Sequence, residues 1–304
     1  MSLVETSRFL DLPALTAIEQ MRFTTRHRIE GNYSGRHQSR QQGGSAEFTD
    51  YREYAPGEDL RRLDWKVLAR TGKSYVRLYE EETNLLCTLA LDASGSMDFD
   101  GGPVARGRRQ SKLVYAQFLA TAMSHVINRG QDQVGLAVMT DRLETALPPR
   151  GTSSHLTLVQ QAIETIETRP ALKMAPALRE LFERTTTRGV LVVMSDFLSD
   201  DLSEIFAAVR LFRHRQFEVI IIHIIHPLEE RLPEGSAFRF EGMENDGRLD
   251  CSPTEIRAAY AERFEAHCNM VRSMSLAVAC DYRRVSTGVA YLQTLGDFLV
   301  ERTG

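Results

Sequence analysis

The strongest constraint on the fold is an uninterrupted apolar run that stops at an acidic residue. Residues 85–91 read LLCTLAL, and Asp92, Ser94 and Ser96 follow within the next five positions. A short apolar run of this kind is typical of a strand that is buried on both faces. Open α/β sheets bind ligands beyond the carboxyl ends of their strands. The sequence therefore predicts a ligand site at these three side chains.

The middle of the chain predicts the alternating strands and helices of a parallel sheet. Residues 111–129 place apolar side chains at helical spacing, and Gly130 follows as a stop signal. Other apolar runs predict strands at 134–140, 189–197 and 217–225, and helical patterns lie at 154–166, 176–184 and 202–214. The predicted fold class is α/β, with a doubly wound, mostly parallel sheet flanked by helices.

The two ends of the chain predict further elements but no chemistry of their own. Residues 12–28 are typical of a helix, and YVRLYEEE alternates like a strand. After Pro227 we expect a hairpin with its turn at 245–247, a helix from Pro253 to about Arg272, a last strand and a final amphipathic helix. His223 and His226 would lie on opposite faces of one strand, so a metal shared by the two is not expected.

The polar residues after the first apolar run suit a hard divalent cation. One carboxylate and two hydroxyls offer the oxygen ligands that Mg2+ and Mn2+ prefer, and Gly95 allows the loop to turn tightly. Asp196 follows a second predicted strand and would bring another acidic group to the same crevice. The alternative is that Asp92 and the serines cap a turn, and that Asp196 caps a helix that begins near Leu198.

The pattern Asp-x-Ser-x-Ser at a strand end resembles the metal-ion-dependent adhesion site of von Willebrand factor A domains. The resemblance implies a von Willebrand factor A-like fold in which Mg2+ or Mn2+ is held by Asp92, Ser94 and Ser96. It also implies that Asp196 supplies an acidic group near the metal.

One element of that site departs from the family pattern. Von Willebrand factor A domains usually add a threonine from a Gly-Gly-Thr-like loop, and this chain has Leu172 or Lys173 at the matching place. Thr152 is a conceivable substitute. The amine of Lys173 could instead replace the cation electrostatically.

A second pattern lies in the first third of the chain. It comprises Phe48, Arg52 to Tyr54, Pro56 to Asp59, and Arg61 to Lys66. This pattern is similar to the hallmark of a bacterial family called domain of unknown function 58, with Glu58 where that family usually has Asp. The resemblance covers about residues 30–215. It implies an N-terminal helix and short β extension over 1–84, packed on a von Willebrand factor A-like domain over 85–304.

Charged residues in this segment surround the only tryptophan of the chain. Such a network over an aromatic plug is typical of a structural latch that fixes the segment in place. The alternative is a surface that docks a partner, for which the candidates are Arg62, Asp64, Trp65 and Lys66.

Composition sets wide bounds on location and ligands. The net charge of −4 gives no overall sign of nucleic-acid binding, although residues 22–77 hold twelve basic against seven acidic residues. The longest apolar run, VIIIHII, is too short to cross a bilayer. The four cysteines have no Cys-x-x-Cys spacing, which favours free thiols. We therefore expect a cytoplasmic protein without a membrane span.

Three functions follow from these patterns. The first is a non-enzymatic adaptor whose metal-dependent site accepts a Glu or Asp carboxylate of a partner protein; the family resemblance implies that the partner is a MoxR-type AAA+ ATPase. The second is a metal-dependent phosphohydrolase with Asp92 as nucleophile, although Ser94 stands where such enzymes usually carry a second acid. The third is nucleic-acid binding through the basic first third, which has interspersed acids and no recognised reading motif. The sequence favours the adaptor.

Overall fold

The chain falls into two compact units. The computed structural model describes residues 7–9, 16, 21–24, 46–55, 63–81, 84–102, 110–170, 173–199, 201–233, 238–244 and 247–303. Residues 30–84 form the smaller unit, and residues 1–29 join 85–304 in the larger one. The smaller unit ends at residue 84, where the sequence placed a boundary, but the first 29 residues group with the larger unit. The packing of one unit on the other stays a prediction.

The helix predicted over 12–28 is wrong at residues 21–24. Residues 21–24 have no helical structure, and Phe23 packs instead into the core of the larger unit. Thr16 lies in a 3-10 turn, and the remaining residues of that range lie outside the described part of the chain.

The smaller unit contains a two-stranded antiparallel sheet and a short helix. Its elements are β1 (Ala46–Glu53), α1 (Trp65–Thr71) and β2 (Tyr75–Glu81). Glu53 lies opposite Tyr75 in the sheet. Gly72 ends α1 with a φ of 70°, a left-handed conformation that glycine adopts at no steric cost. The strand predicted at YVRLYEEE is confirmed by β2.

The described part of the larger unit combines strands and helices that mostly follow one another in turn. In chain order its elements are β3 (Leu86–Asp92), a 3-10 turn (Gly95–Asp98), α2 (Lys112–Arg129), β4 (Gln133–Met139), β5 (Leu143–Arg150), α3 (Ser153–Glu164), α4 (Ala175–Arg184), β6 (Val190–Ser195), α5 (Leu202–His214), β7 (Glu218–Ile225), α6 (Pro227–Glu230), β8 (Phe238–Glu241), β9 (Arg248–Cys251), α7 (Pro253–Ala277), β10 (Asp281–Ser286) and α8 (Tyr291–Thr303).

Six of these strands form one sheet in the order β10-β7-β6-β3-β4-β5. All neighbours are parallel except β4 and β5. The edge strand β5 has two prolines before its last residue, Arg150, and an edge position tolerates them because half of its backbone has no ladder partner. The chain runs from β3 to one edge and then returns to β6 on the other side of β3. The gap between β3 and β6 is therefore the topological switch point, where open α/β sheets place their ligand sites.

The core lies on both faces of this sheet because side chains alternate along each strand. Leu89 and Leu91 of β3 are fully buried on the face covered by α2, α3 and α8. Ala90 is buried on the opposite face, against α4, α5 and α7. The predicted fold class, an α/β fold with a doubly wound, mostly parallel sheet flanked by helices, is confirmed. In the described residues no helix has both the length and the apolar character that crossing a bilayer would demand.

Candidate functional site

The structure brings the three predicted residues of the first strand end together. We call residues 92–98 the serine loop. Asp92 Oδ1 accepts a hydrogen bond from the Ser94 backbone N–H at 2.8 Å, and the hydroxyls of Ser94 and Ser96 lie 3.1 Å apart. Asp92 is buried, whereas both serines are half-buried. The capping alternative holds only for Asp92, because the Ser94 side chain makes no hydrogen bond that caps the following 3-10 turn.

The second oxygen of Asp92 is held by a residue that the sequence analysis missed. Ser195, the last residue of β6, donates from its hydroxyl to Asp92 Oδ2 at 2.5 Å, and the same hydroxyl accepts from the Phe197 N–H at 2.9 Å. Burial raises the pKa of Asp92 to about 6, and the negative charge of Asp196 acts in the same direction. Ser195 could have been found only from the strand order, which places the end of β6 beside the end of β3.

Asp196 lies in the same crevice and is bound to a lysine. Lys112, the first residue of α2, places its Nζ 2.6 Å from Asp196 Oδ2 and forms a second ion pair with Glu229 of α6. The Lys112 side chain is completely buried. Burial favours the neutral form of Asp196, and the charge of Lys112 opposes it. Together with the hydrogen bonds that Asp196 accepts, this charge holds the pKa of Asp196 below its usual value. Burial likewise acts to lower the pKa of Lys112, and its two carboxylate partners raise it overall.

Asp196 is not the N-cap of a helix, because α5 begins only at Leu202. Its Oδ1 instead accepts a hydrogen bond from the Leu198 N–H at 3.1 Å. Phe197, between the two, has a φ of 52°, which is uncommon for a bulky residue and is often found at functional sites. The backbone after β6 therefore turns at Phe197, where the Leu198 N–H meets the Asp196 carboxylate.

Neither predicted replacement for the missing threonine joins the site as the sequence suggested. Thr152 is the N-cap of α3 and accepts from the His155 N–H at 3.2 Å. Lys173 is exposed, and Leu172 lies outside the described residues. The buried amine at the site belongs to Lys112 instead. In the sequence, Lys112 follows Ser111 at the start of a predicted helix, and nothing in that pattern indicated a place in the site.

The residues as arranged do not suit a divalent cation. Both carboxylate oxygens of Asp92 already accept hydrogen bonds, and Asp196 Oδ2 faces the ammonium of Lys112. A second positive charge in this buried space would be repelled by Lys112. Across the described ranges, no cluster of three or more His, Cys, Asp or Glu side chains could hold a metal ion. This arrangement argues against the Mg2+ or Mn2+ that the sequence pattern suggested, and no step below depends on a metal.

The hairpin formed by β8 and β9 lies over the serine loop. The Ser96 backbone N–H donates to Glu244 Oε1 at 2.8 Å. A methyl group on Gly95 would lie only 2.5 Å from the Met243 carbonyl oxygen, so the two backbones are in close contact. The sequence analysis predicted the hairpin but not its contact, because 148 residues separate Ser96 from Glu244.

Polar side chains extend the rim beside the serine loop. The Arg169 backbone N–H donates to the Ala93 carbonyl oxygen at 2.9 Å, and its guanidinium lies 3.4 Å from Glu144 Oε1. The Thr140 hydroxyl donates to the same Glu144 oxygen at 3.2 Å. Arg169 is 59% exposed. The crevice is therefore bordered by a cation that solvent and other molecules can reach.

The two histidines near this edge are structural. His223 lies within β7, and its Nδ1 is 2.9 Å from the Tyr282 hydroxyl. Burial lowers the pKa of His223 to about 4. His226 lies beyond the strand and caps α6, where its Nδ1 accepts from the Leu228 N–H at 3.2 Å. The expectation that both lie on one strand is therefore wrong.

The docking candidates in the smaller unit differ in exposure. Asp64 is buried and caps α1, where it accepts from the Lys66 and Val67 N–H groups and from the Tyr51 hydroxyl. Trp65 is 60% exposed, so it is not the plug that the sequence suggested. Lys66 is also exposed, and Arg62 lies outside the described residues. Trp65 and Lys66 are therefore the candidates that a partner could reach.

Comparison with known families gives one match. The family described as "Protein of unknown function DUF58" matches residues 50–270. The uncharacterized protein Rv1480 of Mycobacterium tuberculosis is 28% identical over 229 residues, which cover 74% of this chain and 69% of that protein. The uncharacterized protein Mb1516 of Mycobacterium bovis matches to the same extent.

Similar solved structures include the conserved hypothetical protein BatB from Bacteroides thetaiotaomicron. It is 16% identical, with a TM-score of 0.43, and the match covers 71% of this chain and 98% of that one. The SpRpn10 VWA domain is 12% identical with a TM-score of 0.38, covering 69% of this chain and 94% of that domain.

Proposed function

Because this chain belongs to the DUF58 family, whose function is unknown, we propose from its structure that it is a non-enzymatic adaptor that docks a partner protein's acidic side chain at the serine loop. A von Willebrand factor A-like fold suggests a protein-interaction role of this general kind. Beyond this general role, we propose which atoms of the serine loop contact the partner's acidic side chain.

One observation carries the proposal: the Ser96 N–H already binds a carboxylate oxygen, at 2.8 Å, at the carboxyl end of β3. The two serine hydroxyls lie beside this contact, 3.1 Å from each other. Backbone N–H groups and hydroxyls that converge at a strand end bind carboxylates through charge-assisted hydrogen bonds, which are stronger than neutral ones. The site is therefore chemically suited to an Asp or Glu side chain.

The buried ion pairs of Lys112 support a docking role over bond-breaking chemistry. Lys112 neutralises Asp196, and Ser94 N–H and Ser195 occupy both oxygens of Asp92. A nucleophilic carboxylate needs an oxygen that can approach the substrate, and here both oxygens of Asp92 already accept hydrogen bonds. We propose that Lys112 does electrostatically, inside the protein, part of what a bound cation does in related folds.

The family resemblance makes a MoxR-type AAA+ ATPase, met in the cytoplasm, the first partner to test. The exposed Trp65 and Lys66 of the smaller unit are proposed as a second contact, because aromatic side chains are enriched among the residues that dominate binding energy.

The proposal is tested by capturing the ATPase on immobilised protein. We expect Asp92→Asn to abolish capture, because a weaker acceptor no longer holds the serine loop in place, and we expect EDTA to have no effect. Asp250→Asn is the matched control, since Asp250 is exposed and pairs with Arg239 away from the loop. Capture that is equal in the parent and in Asp92→Asn would overturn the proposal. Capture that EDTA abolishes would show a metal-dependent site.

A further inference from the structure

The serine loop is already covered by a segment of the same chain. Met243 and Glu244 lie between β8 and β9, and Glu244 supplies the carboxylate that Ser96 N–H binds. The close approach of the Met243 carbonyl to Gly95 shows that the covering segment contacts the backbone of the loop directly. An acidic side chain near a turn therefore occupies the place that the docking proposal gives to a partner.

The hairpin that forms this cover stands apart from the six-stranded sheet. β8 and β9 pair with each other in a two-stranded sheet of four residues a side and with none of the other described strands. Three of the four residues of β9 are exposed, including Leu249. Two-stranded hairpins are at best marginally stable alone, so this one depends on its contacts with the loop beneath it. A competing ligand could displace it without unfolding the sheet.

We propose that Glu244 is an internal stand-in for the partner, and that the partner presents a Glu or Asp side chain on an exposed turn and displaces the hairpin when it binds. This inference rests on the proposed docking function and adds to it the chemical class of the partner segment and a closed state of the free protein. Removing the charge of Glu244 therefore loosens the hairpin from the serine loop. The affinity of the loop for a partner's acidic turn then rises.

Two variants weaken the cover by independent means. Glu244→Gln keeps the shape of the side chain and removes its charge. Gly95→Ala leaves Glu244 intact and introduces a methyl group that collides with the Met243 carbonyl. Their controls are Asp250→Asn, which removes an exposed carboxylate from the same hairpin, and Gly151→Ala, where the nearest atom to the added methyl is Gln133 Cγ at 3.6 Å.

The first measurement is hydrogen exchange of the whole protein, followed by mass spectrometry. We expect both Glu244→Gln and Gly95→Ala to speed exchange in segments 93–99 and 238–251, with the rest of the sheet unchanged, because only the local opening becomes easier. Both control variants should exchange like the parent. Unchanged exchange in the two cover variants would overturn the inference and would leave the docking proposal standing.

The second measurement uses a labelled synthetic peptide of residues 238–251 as the acidic probe. We expect it to bind the Glu244→Gln protein roughly three- to tenfold more tightly than the parent, because the substitution turns a charge-assisted hydrogen bond of the cover into a neutral one of about half the strength. The same peptide with Glu244→Gln should bind neither protein. Equal binding of the probe to both proteins would overturn the inference. Capture of the ATPase that is the same in Asp92→Asn as in the parent would overturn the docking proposal, and this inference with it.

Discussion

Lys112 Nζ lies 2.6 Å from Asp196 Oδ2, and both side chains are shielded from solvent at the switch point of the sheet. The pair joins the start of α2 to the end of β6, 84 residues apart. Glu229 closes the group from the side of α6. A buried ammonium between two carboxylates is thus part of the crevice in which the serine loop lies.

Removal of the ammonium should be strongly destabilising. Lys112→Met leaves the buried Asp196 and the half-buried Glu229 without their cation, and breaking a buried ion pair in this way costs about 3–5 kcal/mol. Urea unfolding of the parent, Lys112→Met and the double variant Lys112→Met/Asp196→Asn measures this loss. The double variant should recover part of the stability, since it carries one fewer unpaired charge. A single variant as stable as the parent would show that the pair does not hold the crevice together.

The pH dependence of stability should reveal two opposing groups. The pKa of Asp92 is raised by burial to about 6, so the folded state takes up a proton there first and is stabilised as the pH falls from about 6 to 4. The pKa of His223 is lowered by burial to about 4, so the unfolded state takes up that proton first and the folded state is destabilised over about pH 6.5 to 4.

These two effects oppose each other over the same pH range. Asp92→Asn removes only the first, and we therefore expect the free energy of unfolding of this variant to fall more steeply on acidification than that of the parent. Urea titrations at several pH values between 4 and 7 measure the two slopes. Parallel slopes would contradict the raised pKa of Asp92.

Much of the site could be predicted from sequence because its residues follow strand signals. The apolar run before Asp92 predicts a buried strand, and its serines are close neighbours in the chain. Asp196 was placed by the same reasoning at a second strand end. Both predictions depend only on local pattern and on the rule that parallel strands bring their carboxyl ends to one edge.

The remaining residues of the site could not be predicted, because their contacts are long-range. Lys112, Ser195, Glu229 and Glu244 come from different elements, and no local pattern states which of them meet. The missing Gly-Gly-Thr-like loop showed that the site is altered, but pointed to Lys173, which is closer in sequence to the expected position. The amine came instead from Lys112, because the start of α2 lies over the same end of the sheet.

Divalent cations should not bind to the parent protein at the serine loop. The ammonium of Lys112 opposes a second cation, and both oxygens of Asp92 are engaged. Isothermal titration calorimetry with MgCl2 and with MnCl2 should show no saturable heat. Stoichiometric binding that disappears in Asp92→Asn would contradict this prediction and would restore the metal-dependent version of the site.

Trp65 and Asp64 are neighbours in the smaller unit, but substitution of Trp65 should weaken partner binding, whereas substitution of Asp64 should lower stability. Trp65→Ala removes an exposed side chain, so stability should change by no more than about 0.5 kcal/mol, whereas capture of the ATPase should weaken. Asp64→Ala removes the cap of α1 and should cost about 0.5–2 kcal/mol. Thermal unfolding and capture, measured on both variants, separate the two roles. Full capture by a folded Trp65→Ala protein would remove Trp65 from the docking surface.

The most direct test of carboxylate docking compares two substitutions at one position. Ser96→Ala keeps the backbone N–H and removes the hydroxyl, whereas Ser96→Pro also removes the N–H donor, near the start of a 3-10 turn where proline is tolerated. The measurement is the affinity of each variant for the ATPase, with circular dichroism to check folding. We predict that Ser96→Ala binds with reduced affinity and that Ser96→Pro does not bind. A folded Ser96→Pro protein that binds like the parent would contradict the account.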